Sequence, residues 1–166
     1  MKKLLERFSA AWKAFKNPKL LEQIDELTEV CLRKTFFEKA KILIEEAKRN
    51  RHKISIVFLD VNGLKIINDK QGHKKGDEIL RNLAYTLKKN LRPYDLMCRW
   101  GGDEFVVLLF NTDFDQAEKI MKRTFEIFPK FSFGIAEWNE KENLEDLIQK
   151  ADEMMYHSKR KLKREN

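Results

Sequence analysis

The chain has 166 residues, 42% of them hydrophobic and 37% charged, with a formal net charge of +7. That length suits one domain with a proper core and is short for two ordinary ones. No apolar run approaches the ~20 residues that span a bilayer, the start lacks a signal-peptide core, and Cys31 and Cys98 are unpaired in spacing, so a reduced, cytoplasmic protein is expected.

The positive charge sits at the ends. Residues 1–19 carry six basic groups against Glu6, residues 157–166 carry five against Glu165, and the rest of the chain is left at −2. A nearly neutral body argues against a broad nucleic-acid groove and for a local phosphate site.

Leu4, Leu5, Phe8, Ala11, Trp12 and Phe15 recur at helical spacing, which predicts an amphipathic helix over 3–16 ending at Asn17-Pro18. Packing on its own domain or in a dimer is its plainest use; its basic face and aromatic residues also suit an anionic membrane surface or a partner. A helix over 35–50 follows. Ile54-Ser55-Ile56-Val57-Phe58-Leu59 is an apolar, β-branched run, predicted to be a strand buried on both faces, and it ends in Asp60 before Val61-Asn62-Gly63. The next helix is expected over roughly 76–90. Leu96-Met97-Cys98 and the run Phe105 to Phe110 are joined through Gly101-Gly102 and read as a β-hairpin, with glycine entering a left-handed turn. A helix from Asp115 to about Phe128, a strand over Phe131 to Glu137 and a last helix over 144–161 complete the series. This order predicts an α+β sandwich, a central, mostly antiparallel sheet flanked by helices.

Acids stand at two strand ends. The hairpin tip presents Asp103 and Glu104 beside a buried strand, where an unpaired carboxylate is costly. Asp60 stands at the mouth of another buried strand. Each alone is adequately explained as a solvated turn. Together they suit Mg²⁺ or Mn²⁺; Mg²⁺ takes one or two carboxylates and completes its shell with water and phosphate oxygens.

In order and spacing these residues resemble the GGDEF domains, the diguanylate cyclases. The segment Asp60-Val61-Asn62-Gly63-Leu64-Lys65-Ile66-Ile67-Asn68-Asp69, with Gly72-His73, Gly76-Asp77 and Leu80, is similar to the family's first signature. Gly101 to Phe105 spell its name motif, and Ala151-Asp152-Glu153-Met154-Met155-Tyr156-His157-Ser158-Lys159 resembles its closing helix. The resemblance covers about residues 25 to 163. It divides the chain into an N-terminal helix and linker, 1–24, and a catalytic domain, 25–166.

The resemblance implies the palm-like fold shared with nucleotide cyclases and polymerases. The activity it implies is condensation of two GTP into cyclic di-GMP and two pyrophosphates by a homodimer, with two Mg²⁺ or Mn²⁺ ions per site. Asp60, the Val61 carbonyl and Asp103 would hold metal, and Asp103 or Glu104 would help deprotonate the attacking hydroxyl. Backbone N–H groups of Asn62, Gly63 and Leu64 would cradle the β- and γ-phosphates, as tight turns do for anions. Lys65 would neutralise transition-state charge. Asn68 and Asp77 would read guanine, with His73 packed and hydrogen-bonded near that pocket, and Lys159 and Lys163 would meet the triphosphate. Arg92-Pro93-Tyr94-Asp95, with Arg92 nine positions ahead of Gly101, stands where the family's RxxD site binds cyclic di-GMP as an inhibitor. The alternative is a catalytically silent receptor for cyclic di-GMP or GTP. In either case an upstream sensory domain or partner would supply the input.

The chain departs from the family pattern in places. Asp25-Glu26-Leu27-Thr28 and Arg33 fit the opening turn, but Glu29 replaces a usual glycine and Leu32 a usual asparagine. Altered geometry is therefore expected at that entrance. Leu162 and Lys163 replace a usual glycine and arginine, and lysine lacks the bidentate fork. The stretch before Phe131 is shorter than is usual, which predicts a trimmed peripheral element.

Overall fold

The computed structural model describes residues 24–162; the segment 3–16 and Lys163 lie outside them. The described elements are α1 (Arg33–Asn50), β1 (Ile54–Val61), α2 (Leu64–Gln71), α3 (His73–Asn90), β2 (Leu96–Arg99), β3 (Glu104–Phe110), α4 (Phe114–Ile127), β4 (Phe131–Glu137) and α5 (Leu144–Leu162).

The strands form one sheet in the order β2-β3-β1-β4, and every neighbouring pair is antiparallel. β1 is central. Its side chains alternate between two packed faces, which is why the sequence reads as a continuous apolar run. Ile56 and Phe58 join Phe36 and Ala40 of α1 and Leu147 of α5 on one face. Val57 and Leu59 join Leu83 of α3 and Met121 of α4 on the other. The predicted α+β sandwich with helices on both sides of an antiparallel sheet is what forms.

Two expectations are corrected. The helix expected over 76–90 begins at His73, and a separate helix, α2, precedes it across Gly72. α2 has only two turns and leaves Ile66 59% exposed, so it carries too little hydrophobic periodicity to be read from sequence. At the entrance, where Glu29 is expected to alter the geometry, a hydrogen-bonded turn forms with Glu29 in it. Glu29 adopts φ 54°, the left-handed conformation that favours glycine. Its N–H donates to the Asp25 carbonyl at 2.8 Å, and Lys88 donates to the Glu29 carbonyl at 2.7 Å. The turn tolerates the side chain because surrounding bonds hold it there.

Three residues, Phe128 to Lys130, link α4 to β4, and β4 forms one edge of the sheet. Among the described residues no helix is long and apolar enough to cross a membrane.

Candidate active site

Asp60 lies across from Glu104 on β3 and from Ser132 on β4. All three have the strand parity of Ile56 and Phe58, so they share the α5 face at one end of the sheet. Beyond Asp60 the chain is tied on both sides. Val61 N–H donates to the Asp103 carbonyl at 2.9 Å, and Asn62 N–H to the Lys130 carbonyl at 2.8 Å. Gly63 follows with φ 70° as the N-terminal cap of α2, a left-handed position open to glycine, and no side chain caps the helix start. The first N–H groups of α2 are therefore left for an anion.

The hairpin tip corrects a further expectation. Neither Gly101 nor Gly102 is left-handed; the positive-φ glycines among the described residues are Gly63 and Gly72. A side chain at Gly101 would instead run into the Glu104 carboxylate. Trp100 N–H closes the turn on the Glu104 carbonyl at 2.8 Å. Two arginines hold the tip from the entrance side. Arg99 pairs with Asp25 at 3.1 Å and donates to the Gly102 carbonyl at 2.8 Å. Arg33 donates to the Trp100 carbonyl at 2.5 Å and lies 4.1 Å over its ring.

The site is rich in carboxylate. Burial pushes the Glu104 carboxyl above its ordinary range, and the charges of Asp103, Asp152 and Asp60 push it further, against the pull of Arg33. Asp152 on α5 is raised by burial, then by Glu153 and Asp60. Asp152 was not singled out from the sequence as a site residue. The available signal was its position seven residues before Lys159, two helical turns away on the same face. Lys159 reaches from α5 to form an ion pair with Asp60 Oδ1. An ammonium therefore stands on the carboxylate where a divalent cation is expected.

These hard oxygen donors fit Mg²⁺ or Mn²⁺. Among the described residues no group of three or more His, Cys, Asp or Glu side chains forms a cage. The Val61 carbonyl, water and phosphate oxygens would complete the shell, as Mg²⁺ commonly requires.

Next to the turn, the Asn68 side chain packs over Gly76, where a Cβ would collide with it. Asn68 Oδ1 is buried without a hydrogen-bond partner, and Asp77 stands one residue further along α3, half-buried. Lys65 is exposed in the first turn of α2. His73 is exposed at the first position of α3, so the packing expected for it is not seen.

Arg92 and Asp95 lie at the far end of the hairpin, about 20 Å away at strand rise per residue. Asp95 accepts from Arg92 N–H at 2.8 Å and from Phe110 N–H at 3.1 Å. The Arg92 side chain is exposed, on the rim of a cavity of about 680 Å³ that also touches Lys39, Lys88 and Met97.

The family model described as "Diguanylate cyclase, GGDEF domain" matches residues 22–165. YhcK of Bacillus subtilis is 34% identical over 161 residues, which cover 87% of this chain and 45% of YhcK. The diguanylate cyclase DosC of Escherichia coli is 35% identical over 152 residues, 83% of this chain and 33% of DosC. The chain thus spans less than half the length of these curated relatives. A microbial GGDEF domain solved for its interaction with cyclic di-GMP has a TM-score of 0.78 and 28% identity, covering 86% of this chain and 94% of that one. The match takes in the sheet, the Asp60 turn, the hairpin tip and the closing helix together, and the chain belongs to the GGDEF family of diguanylate cyclase domains.

Proposed function

We propose that this chain is a working diguanylate cyclase that joins two GTP into cyclic di-GMP with release of two pyrophosphates. The observation that carries this reading is the clustering of Asp60, Asp103 and Glu104, with Lys159 already on Asp60 as a cation, beside the open, glycine-led start of α2. A cation site and an anion site adjoin. Divalent ions held by Asp60, the Val61 carbonyl and Asp103 would supply activation of the attacking 3′-oxygen and stabilisation of the leaving oxygen.

The chain's own residues do the rest. Glu104 has the raised proton affinity suited to taking the 3′-hydroxyl proton. Each 3′-oxygen then bonds to the other nucleotide's α-phosphorus as the bond to pyrophosphate breaks. Backbone N–H groups at Asn62, Gly63 and Leu64 hold the β- and γ-phosphates, with Lys65 beside them. Lys159 exchanges Asp60 for the triphosphate, and Lys163 joins it. Asp77 accepts from guanine N1–H and N2–H, and the unpartnered Asn68 Oδ1 is a further acceptor; adenine lacks that donor pair. Product feedback acts through Arg92, positioned by Asp95, with cyclic di-GMP as ligand. The receptor alternative loses support because a hydrogen-bonded entrance turn forms with Glu29 in it.

Each domain holds one nucleotide, so two copies must face each other. Incubation with GTP and Mg²⁺ or Mn²⁺, read by nucleotide chromatography, should give cyclic di-GMP at a rate that rises faster than linearly with dilute protein. Absence of product overturns the enzyme reading. Linear activity down to monomeric protein overturns the dimer mechanism.

A further inference from the structure

We propose that Ser132 is a positioning residue for the phosphate-binding turn, an inference that rests on the nucleotide site proposed above. Ser132 is 5% exposed, lies second in β4 and stands across the sheet from Asp60. Its hydroxyl donates to Asn62 Oδ1 at 2.8 Å. A buried hydroxyl needs a partner. Here that partner is a side chain on the turn itself, not a carbonyl of the sheet.

The consequence is geometric. Asn62 is held twice from the β4 side, through its backbone N–H on the carbonyl of Lys130, the residue before β4, and through its side chain on Ser132 in β4, while Val61 is held by the hairpin. These three bonds set where the Asn62-Gly63-Leu64 backbone lies. With Oδ1 engaged by Ser132, the acceptor of the amide is occupied at a turn that is to receive an anion. Ser132 touches neither nucleotide nor metal in this role; it acts through Asn62.

Equilibrium binding of a non-hydrolysable GTP analogue with Mg²⁺ tests this, run beside thermal unfolding and steady-state kinetics. Ser132→Ala should weaken binding by about 3- to 10-fold, the size of one lost hydrogen bond, and should raise KM more than it lowers kcat. Ser132→Thr, which keeps the hydroxyl, should restore most of the affinity. In an Asn62→Ala background, Ser132→Ala should cost no further affinity, because the pair acts as one unit. Wild-type affinity in Ser132→Ala, with or without a lower melting temperature, overturns the inference while leaving the nucleotide site standing. Fully additive losses in the double variant overturn it too. A wild-type protein that binds no guanine nucleotide overturns the site reading and this inference together.

Discussion

The two ends of the β2–β3 hairpin carry the same chemical group in opposite circumstances. At the base, burial raises the Asp95 carboxyl, but what surrounds it pulls the other way: two backbone N–H groups and Arg92. At the tip, burial raises Glu104, and its neighbours Asp103, Asp152 and Asp60 add to the effect. A carboxylate whose oxygens hold the backbone shapes a loop. One surrounded by its own kind is left to bind a cation or move a proton.

The strongest way to break this contrast is at the tip. Asp103→Ala together with Glu104→Ala should abolish turnover, and Glu104→Ala alone should cost about 10²- to 10⁴-fold in kcat. Both proteins should keep their circular dichroism and cooperative unfolding, since the tip adds little core. A collapse of the fold would make the tip structural.

The base should respond in the reverse sense. Asp95→Ala leaves two N–H groups without their acceptor and should cost about 1–3 kcal/mol in urea unfolding. Arg92→Ala should stay within about 0.5 kcal/mol, while relieving inhibition by added cyclic di-GMP that GTP does not overcome. Full affinity for cyclic di-GMP in Arg92→Ala would show that the inhibitor binds elsewhere.

A smaller gain is expected at the entrance. Glu29→Gly removes a left-handed non-glycine residue and should stabilise the protein by up to about 1 kcal/mol in urea, after the entropy glycine adds to the unfolded chain is subtracted.

The smallest effect sharpens the electrostatics. The folded Glu104 carboxyl binds its proton at higher pH than the unfolded one. As pH falls through that raised value, the folded protein takes the proton first and gains stability. Asp95 and Asp152 contribute in the same sense, so the comparison is with Glu104→Gln in chelator. The melting-temperature gap between that variant and wild type should narrow as pH falls from 7 toward the ordinary glutamate range. A constant gap would mean that Glu104 does not titrate differently in the fold.

The sequence by itself determined the architecture and the place of the acids. The β-branched apolar run that stops at Asp60 reads as a buried strand with a carboxylate at its mouth, and the two runs around Gly101-Gly102 read as strands that return beside each other. These are one-dimensional facts of burial and strand period. Tertiary structure decided what surrounds those acids. Ser132, Asp152 and Arg99 reach the site through register and helix docking, at separations in the chain where no local pattern operates. It also decided backbone conformation. A Cβ at Gly101 would displace the Glu104 carboxylate from where it lies, and Glu29 holds a glycine's dihedral because Lys88 and Asp25 bind its backbone. A residue's identity states what it tolerates, and only the packing around it states what is imposed.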